Sequence, residues 1–316
     1  MKKVTFLLFA LLFFNSISAQ KSLKKDSINI VIPIQSGKLF GTLISPTINK
    51  KLPLVIIIAG SGPTDRNGNQ QGMFTNAYKL MADDLFIQNI ATFRYDKRMI
   101  GESKGINTKE EDLRFDDYID DVVTIINFFK NEQKFSKIIV AGHSEGSLLA
   151  MVAIQKSSVN GYISLAGAGQ SADKILKEQL KNQPEPFKSE AFSTIDSLVE
   201  GKKVENIKYS SMLFRKSVQP YIISWLKYDP QKEIKKIQIP ILIIQGTTDL
   251  QVSLNDAQNL YKAQPKAELF IIEGMNHILK NAEADRQKNI LTYNNPSLPL
   301  STTLINKISS FVNQLK

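Results

Sequence analysis

Cysteine is absent from all 316 residues. That excludes disulfides, cysteine nucleophiles, thiolate metal sites and lipid attachment at an amino-terminal cysteine. A chain of this size without cross-links is stable on packing alone, and 42% hydrophobic residues suffice for a substantial core. Histidine is scarce too: His143 and His277 are the only two, so any imidazole-based proton transfer has two candidates. The formal charge is +10, yet no basic stripe interleaved with aromatics is found. The lysines are scattered, often in pairs such as Lys24-Lys25, Lys202-Lys203 and Lys235-Lys236, which reads as solvated surface and not as a nucleic-acid face. There is no internal repeat. No apolar run reaches the roughly 20 residues that a membrane-spanning helix needs, so no stable membrane anchor is expected. The longest, Val4 to Phe14, follows the positive Met1-Lys2-Lys3 and precedes the small residues of Asn15-Ser-Ile-Ser-Ala19. This is the pattern of a secretory signal peptide over residues 1–19, with cleavage expected after Ala19 and Ser18 as the alternative, so the mature protein is expected in the periplasm or outside the cell.

What is present is organised around Lys137 to Ala150. Ile138 to Ala141 is an apolar run fit for a strand covered on both faces, and Ser147 to Ile154 continues without Gly or Pro as a helix. Between them stands Gly142-His143-Ser144-Glu145-Gly146, a Gly-x-Ser-x-Gly pentapeptide. Its glycines allow a tight strand-to-helix turn that thrusts the serine hydroxyl out above a sheet. Further apolar runs read as strands: Leu54 to Ala59, Ala91 to Tyr95, Gly161 to Ala166, Ile239 to Gly246 and Glu268 to Ile272. Ser27 to Ile34 and Lys38 to Ile44 alternate as an antiparallel pair of edge strands. Helices are expected over Ala77 to Gln88, Asp116 to Lys130, Ala257 to Ala263 and Leu304 to Leu315. Tyr118, Val122, Ile125, Ile126 and Phe129 fall on the buried face of the second. Strands alternating with helices predict a mostly parallel sheet covered on both faces. Residues 170–236 break that rhythm with helical pieces and no strand. They are expected to form a helical cap inserted into a core of residues 20–169 and 237–316. The cap's Met212, Phe214, Tyr221, Trp225 and Tyr228 either line a pocket or form its own core. Residues 286–300 have no assignment.

The chemistry-bearing residues all follow expected strands, where open α/β sheets form their ligand crevice. Ser144 ends one strand, Asp249 another, His277 a third, and the loop Gly60-Ser-Gly62 a fourth. A serine hydroxyl needs an adjacent base, and His143, next to Ser144 on a tight turn, should point elsewhere and serve packing. His277 is the remaining base. Asp249 is preferred as the acid that orients it because it ends a buried strand; Glu273 and Asp285 are rivals. Gly142-His-Ser-Glu-Gly146, Gln245-Gly-Thr-Thr-Asp-Leu-Gln-Val252 and Gly274-Met-Asn-His277 together resemble an α/β-hydrolase fold serine hydrolase, in the branch of exported esterases and serine aminopeptidases. The resemblance covers most of residues 28–316 outside the cap.

That resemblance implies Ser144 as nucleophile, His277 as base, Asp249 as its acid, and no metal or other cofactor. The oxyanion donors would be the backbone N–H of Glu145, at a helix start, and of Ser61. Ala59 departs from the family, in which many members carry histidine before the glycine. Arg94-Tyr-Asp-Lys-Arg-Met-Ile-Gly-Glu-Ser103 is also similar to a family loop, with Met99 replacing a usual glycine. Asp65, Arg66, Asp96 and Arg98 are either a charge network behind the oxyanion loop or independent surface charges. The expected partner is a small ester or other acyl compound, with short-acyl esters foremost. A serine aminopeptidase or amidase, an acyl-thioester hydrolase and a non-catalytic binding module are the alternatives.

Overall fold

The computed structural model describes residues 25–106 and 109–316. The expected signal peptide, residues 1–19, lies outside the described residues. In chain order the strands are β1 (Lys25–Ile34), β2 (Gly37–Pro46), β3 (Leu52–Ile58), the short hairpin β4 (Asn69–Gln70) and β5 (Met73–Phe74), and β6 (Ala91–Tyr95). They continue with β7 (Phe135–His143), β8 (Gly161–Leu165), β9 (Ile241–Gly246) and β10 (Glu268–Ile272). Among the described residues, eight of these form one sheet in the order β1-β2-β6-β3-β7-β8-β9-β10. The pairs β1–β2 and β2–β6 are antiparallel and all others parallel. The fold is thus the mostly parallel α/β sheet that the alternation of strands and helices predicts.

One expectation is corrected. β2 is not an edge strand, because Gly41 to Ile44 pair with Tyr95 to Thr92 of β6. Adjacent Leu43 and Ile44 are both buried, one toward each face, as a two-sided strand requires.

Alternation along β3 decides which helices lie on which face. Val55 and Ile57 pack with Met81 and Leu85 of α1 (Ala77–Ile87) and with Leu304, Ile308 and Phe311 of a carboxy-terminal helix, Thr302–Gln314. Leu54, Ile56 and Ile58 face the other way, onto α2 (Phe115–Glu132) and α3 (Glu145–Lys156). α2 buries Phe115, Tyr118, Ile119, Val122, Ile125, Ile126 and Phe129, the 3.6-residue stripe of an amphipathic helix. Each such side chain stabilises the fold by about 1.5–3 kcal/mol.

Between β8 and β9 come α4 (Ala172–Leu180), α5 (Phe187–Val199), α6 (Ser211–Phe214), α7 (Gln219–Trp225) and α8 (Pro230–Lys235). The aromatic residues of this insert mostly attach it to the core. Trp225 stacks on Phe115 with ring centroids 6.0 Å apart, and Tyr221 meets Tyr118 edge to face at 5.6 Å. Phe214 is buried, whereas Met212 is 84% exposed. The chain ends through α9 (Leu254–Ala263), β10, α10 (Arg286–Leu291) and α11, the Thr302–Gln314 helix. Among the described residues no helix is long and apolar enough to cross a membrane.

Candidate active site

β7 runs into α3 with a single residue, Ser144, between them. Its backbone sits at φ 54°, ψ −123°, a region that L-residues rarely occupy. The strain persists because the surroundings dictate it. A Cβ on Gly142 would lie 2.2 Å from the Gly146 carbonyl oxygen, and one on Gly146 would lie 2.5 Å from that of Ile58. The turn closes this tightly only with glycine at both places. The Ser144 N–H donates to the Leu165 carbonyl at 2.9 Å, tying the turn to β8.

Asp249 and His277 come from the loops after β9 and β10. Asp249 Oδ2 lies 2.8 Å from His277 Nδ1 and also accepts from Gln245 Nε2 at 2.9 Å. Its Oδ1 accepts from the N–H groups of Gln251 and Val252 at 2.8 and 2.9 Å. Burial of the Asp249 carboxyl pushes its pKa up, but the His277 charge and these hydrogen bonds outweigh burial and hold it below the ordinary value. Because a carboxylate only accepts, His277 Nδ1 carries a proton, and when Nε2 carries none it is left to act as a base. The rival acids serve elsewhere: Asp285 caps α10 by accepting from Lys288 N–H, and Glu273 is exposed. Ser144 and His277 line one cleft of about 90 Å³ together with Gly60, Ser61 and Gln251. On its other side Ser144 borders a second cleft of about 140 Å³, walled by Leu148, Ala172, Ile175, Leu176 and Trp225.

His143 is buried as expected of a packing residue, but both its nitrogens are engaged. Nε2 lies 2.7 Å from the His277 carbonyl oxygen, so it must donate, which leaves Nδ1 to accept from the Tyr78 hydroxyl at 2.8 Å. That hydroxyl in turn accepts from the Gly60 N–H at 3.1 Å. The ring is therefore a strut from the Gly60 loop to the His277 loop. Burial and the neighbouring His277 push its pKa down to about 3, so it stays neutral.

The four charged residues proposed to back the Gly60 loop are not one network. Arg66 and Asp96 are joined twice, by Arg66 N–H to Oδ1 and by the guanidinium to Oδ2, each at 2.7 Å, with Glu102 closing on the same guanidinium. Asp65 instead turns its own loop, accepting from Asn67 and Asn69 N–H at 2.7 and 2.9 Å. Arg98 leaves for α2, where it binds Asp121 through Nε at 2.8 Å and a terminal nitrogen at 2.6 Å. The residue that does reach the loop is Lys97, which the sequence reading passed over. It is 1% exposed and donates from Nζ to the Gly60 carbonyl oxygen at 2.6 Å. A second omission is the amide cluster beneath His277. Asn276 Nδ2 donates to Asn289 Oδ1 and Thr292 Oγ1 at 3.1 and 2.8 Å, and Asn289 Nδ2 to the Thr248 carbonyl at 2.8 Å. It lies partly in the segment 286–300, whose polarity masks the fact that Asn289 is fully buried.

With this geometry in hand, comparison with known proteins is informative. The family model described as "Serine aminopeptidase, S33" matches residues 72–231, from the hairpin before α1 through the helical insert. Esterase EstD of Thermotoga maritima is 24% identical over 257 residues, which are 77% of this chain and 58% of EstD. The chain thus spans less than two thirds of that relative's length. Among solved structures, Est1E from Butyrivibrio proteoclasticus, with bound ferulic acid, superposes with a TM-score of 0.63 at 19% identity, covering 90% of this chain and 100% of the other. The Pyrococcus furiosus esterase Pf2001 gives 0.56 at 15% identity, over 92% and 93%. These two likenesses show the fold, and the family match covers half the chain: the protein belongs to the serine aminopeptidase, S33, family of α/β-hydrolases.

Proposed function

We propose that the protein is an exported serine esterase that cleaves small carboxylic esters through an acyl-enzyme. The observation that carries this reading is the bonded Asp249–His277 pair opening onto the same cleft as a strained, strand-to-helix Ser144. Ser144 Oγ attacks the ester carbonyl while His277 Nε2 takes its proton. Asp249 fixes the imidazole tautomer and balances the cation that forms. The oxyanion is met by the N–H groups of Glu145 and Ser61. Glu145 is the first residue of α3, so its N–H has no acceptor within the helix. His277 then returns the proton to the leaving alkoxide, and water releases the acyl group by the same steps in reverse.

The size of the clefts beside Ser144 supports short acyl groups, since about 90 and 140 Å³ fall below the roughly 300–1,000 Å³ of sites for drug-sized ligands. The name of EstD and the ferulic acid in Est1E lend the ester reading support. The family's description raises aminopeptidase activity as the second reading. Against it, Glu145, the acid next to the nucleophile in the chain, is buried with Lys97 Nζ 4.0 Å away; burial pushes its pKa up and the lysine offsets this only in part, so a substrate ammonium would gain little there. Export is proposed on residues 1–19 and is tested by finding the mature amino terminus at Gln20 in protein recovered outside the cytoplasm.

Hydrolysis of p-nitrophenyl esters of graded chain length, with aminoacyl p-nitroanilides in parallel, tests the function. Turnover of acetyl and butyryl esters is expected, with Ser144→Ala lowering kcat by at least about 10⁴-fold. Preference for the anilides would replace the esterase reading with the peptidase one. No turnover, together with no fluorophosphonate labelling of Ser144, would leave a non-catalytic binding protein.

A further inference from the structure

We propose that Lys97 is a positioning residue for the oxyanion site, a buried clamp that joins its two arms from behind. The inference rests on the reading of Glu145 and Ser61 as the donors to the oxyanion.

Lys97 follows β6, is 1% exposed and reaches the Tyr118 ring of α2. Its Nζ lies 2.6 Å from the Gly60 carbonyl oxygen, 4.0 Å from Glu145 Oε1 and 5.1 Å from the centre of the Tyr118 ring. The first two belong to the two arms. In a trans peptide the carbonyl oxygen and the following N–H point in opposite directions. Gripping the Gly60 oxygen therefore turns the Ser61 N–H away from Lys97, and Ser61 lines both clefts that Ser144 borders. The other polar group of Gly60 is held as well, because its N–H donates to Tyr78. Both ends of the residue before the donor are thus pinned by buried side chains from different elements. A Cβ on Gly60 would lie 3.1 Å from Ser144 Cβ, so the loop is pinned where the reaction takes place.

The second arm is reached through Glu145. Its backbone N–H starts α3 beside Ser144, while its buried carboxylate turns back toward Lys97, near enough for charge attraction and too far for a hydrogen bond. An apolar residue at either position would pack without the cost of burying a charge, and a buried ion pair by itself adds little to stability. What the pair does provide is a fixed relation between the Gly60–Ser61 peptide and the start of α3, which is the geometry that two N–H donors need in order to converge on one oxygen. The positive charge behind them also favours the anion that develops there.

The test compares Lys97→Met, which keeps length and loses the donor, with Lys97→Gln, which keeps an N–H. Each is assayed on a p-nitrophenyl ester and for inhibition by phenylboronic acid, which adds to a serine oxygen as a tetrahedral anion. A clamp acting on the oxyanion alone predicts kcat lower by about 10²–10³-fold in Lys97→Met, as for loss of one oxyanion donor, with KM changed less than threefold. Boronate inhibition should weaken in step with kcat/KM, and Lys97→Gln should recover part of both. Thermal unfolding separates this from a structural role, which would lower Tm without that split. Unchanged kcat in folded Lys97→Met overturns the proposal, as does a loss confined to KM. If the methionine variant does not fold, the same comparison between wild type and Lys97→Gln decides: equal kcat and equal boronate inhibition overturn it. A wild type that neither turns over ester nor reacts with fluorophosphonate at Ser144 removes the esterase reading itself, and the clamp with it.

Discussion

The two walls of the cleft at Ser144 are held by opposite kinds of chemistry. Behind the Gly60 loop stands a buried cation, Lys97, on the Gly60 carbonyl, while Tyr78 holds the N–H of the same residue. Behind His277 stand a carboxylate, Asp249, and neutral amides, Asn276 and Asn289. In the proposed reaction a negative charge develops against the first wall and a positive one against the second, so each wall carries the sign that stabilises what forms beside it. The comparison breaks most sharply at Asp249. Asp249→Asn keeps the shape but lets the amide donate to Nδ1, which favours the wrong tautomer of His277. A kcat lower by about 10⁴-fold is expected, with KM little changed. Steady-state kinetics that showed less than a tenfold loss would mean that the second wall does not supply the counter-charge.

Within the first wall, neighbouring residues separate function from stability. Lys97 points at the Gly60 loop, whereas Arg98 points at α2 and forks onto Asp121, which is 1% exposed. Removing Arg98 leaves a buried carboxylate without its partner, a loss of about 3–5 kcal/mol. Arg98→Ala should therefore unfold at much lower urea concentration while its kcat, measured at low temperature, stays within about twofold of wild type. A large drop in kcat at unchanged stability would restore Arg98 to a network behind the Gly60 loop.

This split explains how much of the site was legible in the sequence. Ser144, Asp249 and His277 sit at the ends of apolar runs, and period-2 and period-3.6 patterning locate those ends, so the strands and most helix bounds were readable. Adjacent residues on a loop give no such signal. Nothing in Asp96-Lys97-Arg98 says which side chain turns to which neighbour, and a buried lysine looks like any other of a lysine-rich chain. The two-sided burial of β2 was marked only by Leu43 next to Ile44. Asn289 lies in a polar, proline-containing stretch whose burial depends on Asn276 and Thr248, 13 and 41 residues away.

The strut between the walls gives an effect visible in pH. His143 takes up a proton near pH 6.5 when unfolded but only near pH 3 when folded, because burial and His277 oppose its charge. Between those values the unfolded chain binds more protons, so the stabilisation is complete above pH 6.5 and is lost as pH falls toward 3. A loss of a few kcal/mol over that window is expected from this residue. His143→Gln can keep both hydrogen bonds and does not titrate. Urea unfolding across the window should show a shallower decline for the variant, and parallel curves would remove His143 as the titrating group.

The mildest test concerns the amides of the second wall. Asn289→Ala deprives Asn276 Nδ2 of one of its two acceptors and the Thr248 carbonyl of its donor, and it opens a small void in a fully buried place. Unpaired groups of this kind cost about 1–3 kcal/mol, the lower end applying because Thr292 still holds Asn276. Asn276 precedes His277 and Thr248 precedes Asp249, so loosening both should also lengthen the Asp249–His277 contact in part of the population. kcat is expected to fall by less than about tenfold, with the Asp249→Asn and Asn289→Ala effects less than additive when combined, since the first already removes the contact that the second loosens. Strictly additive losses in that double-mutant cycle would show that the amides serve the fold alone, and that the second wall is built by Asp249 without them.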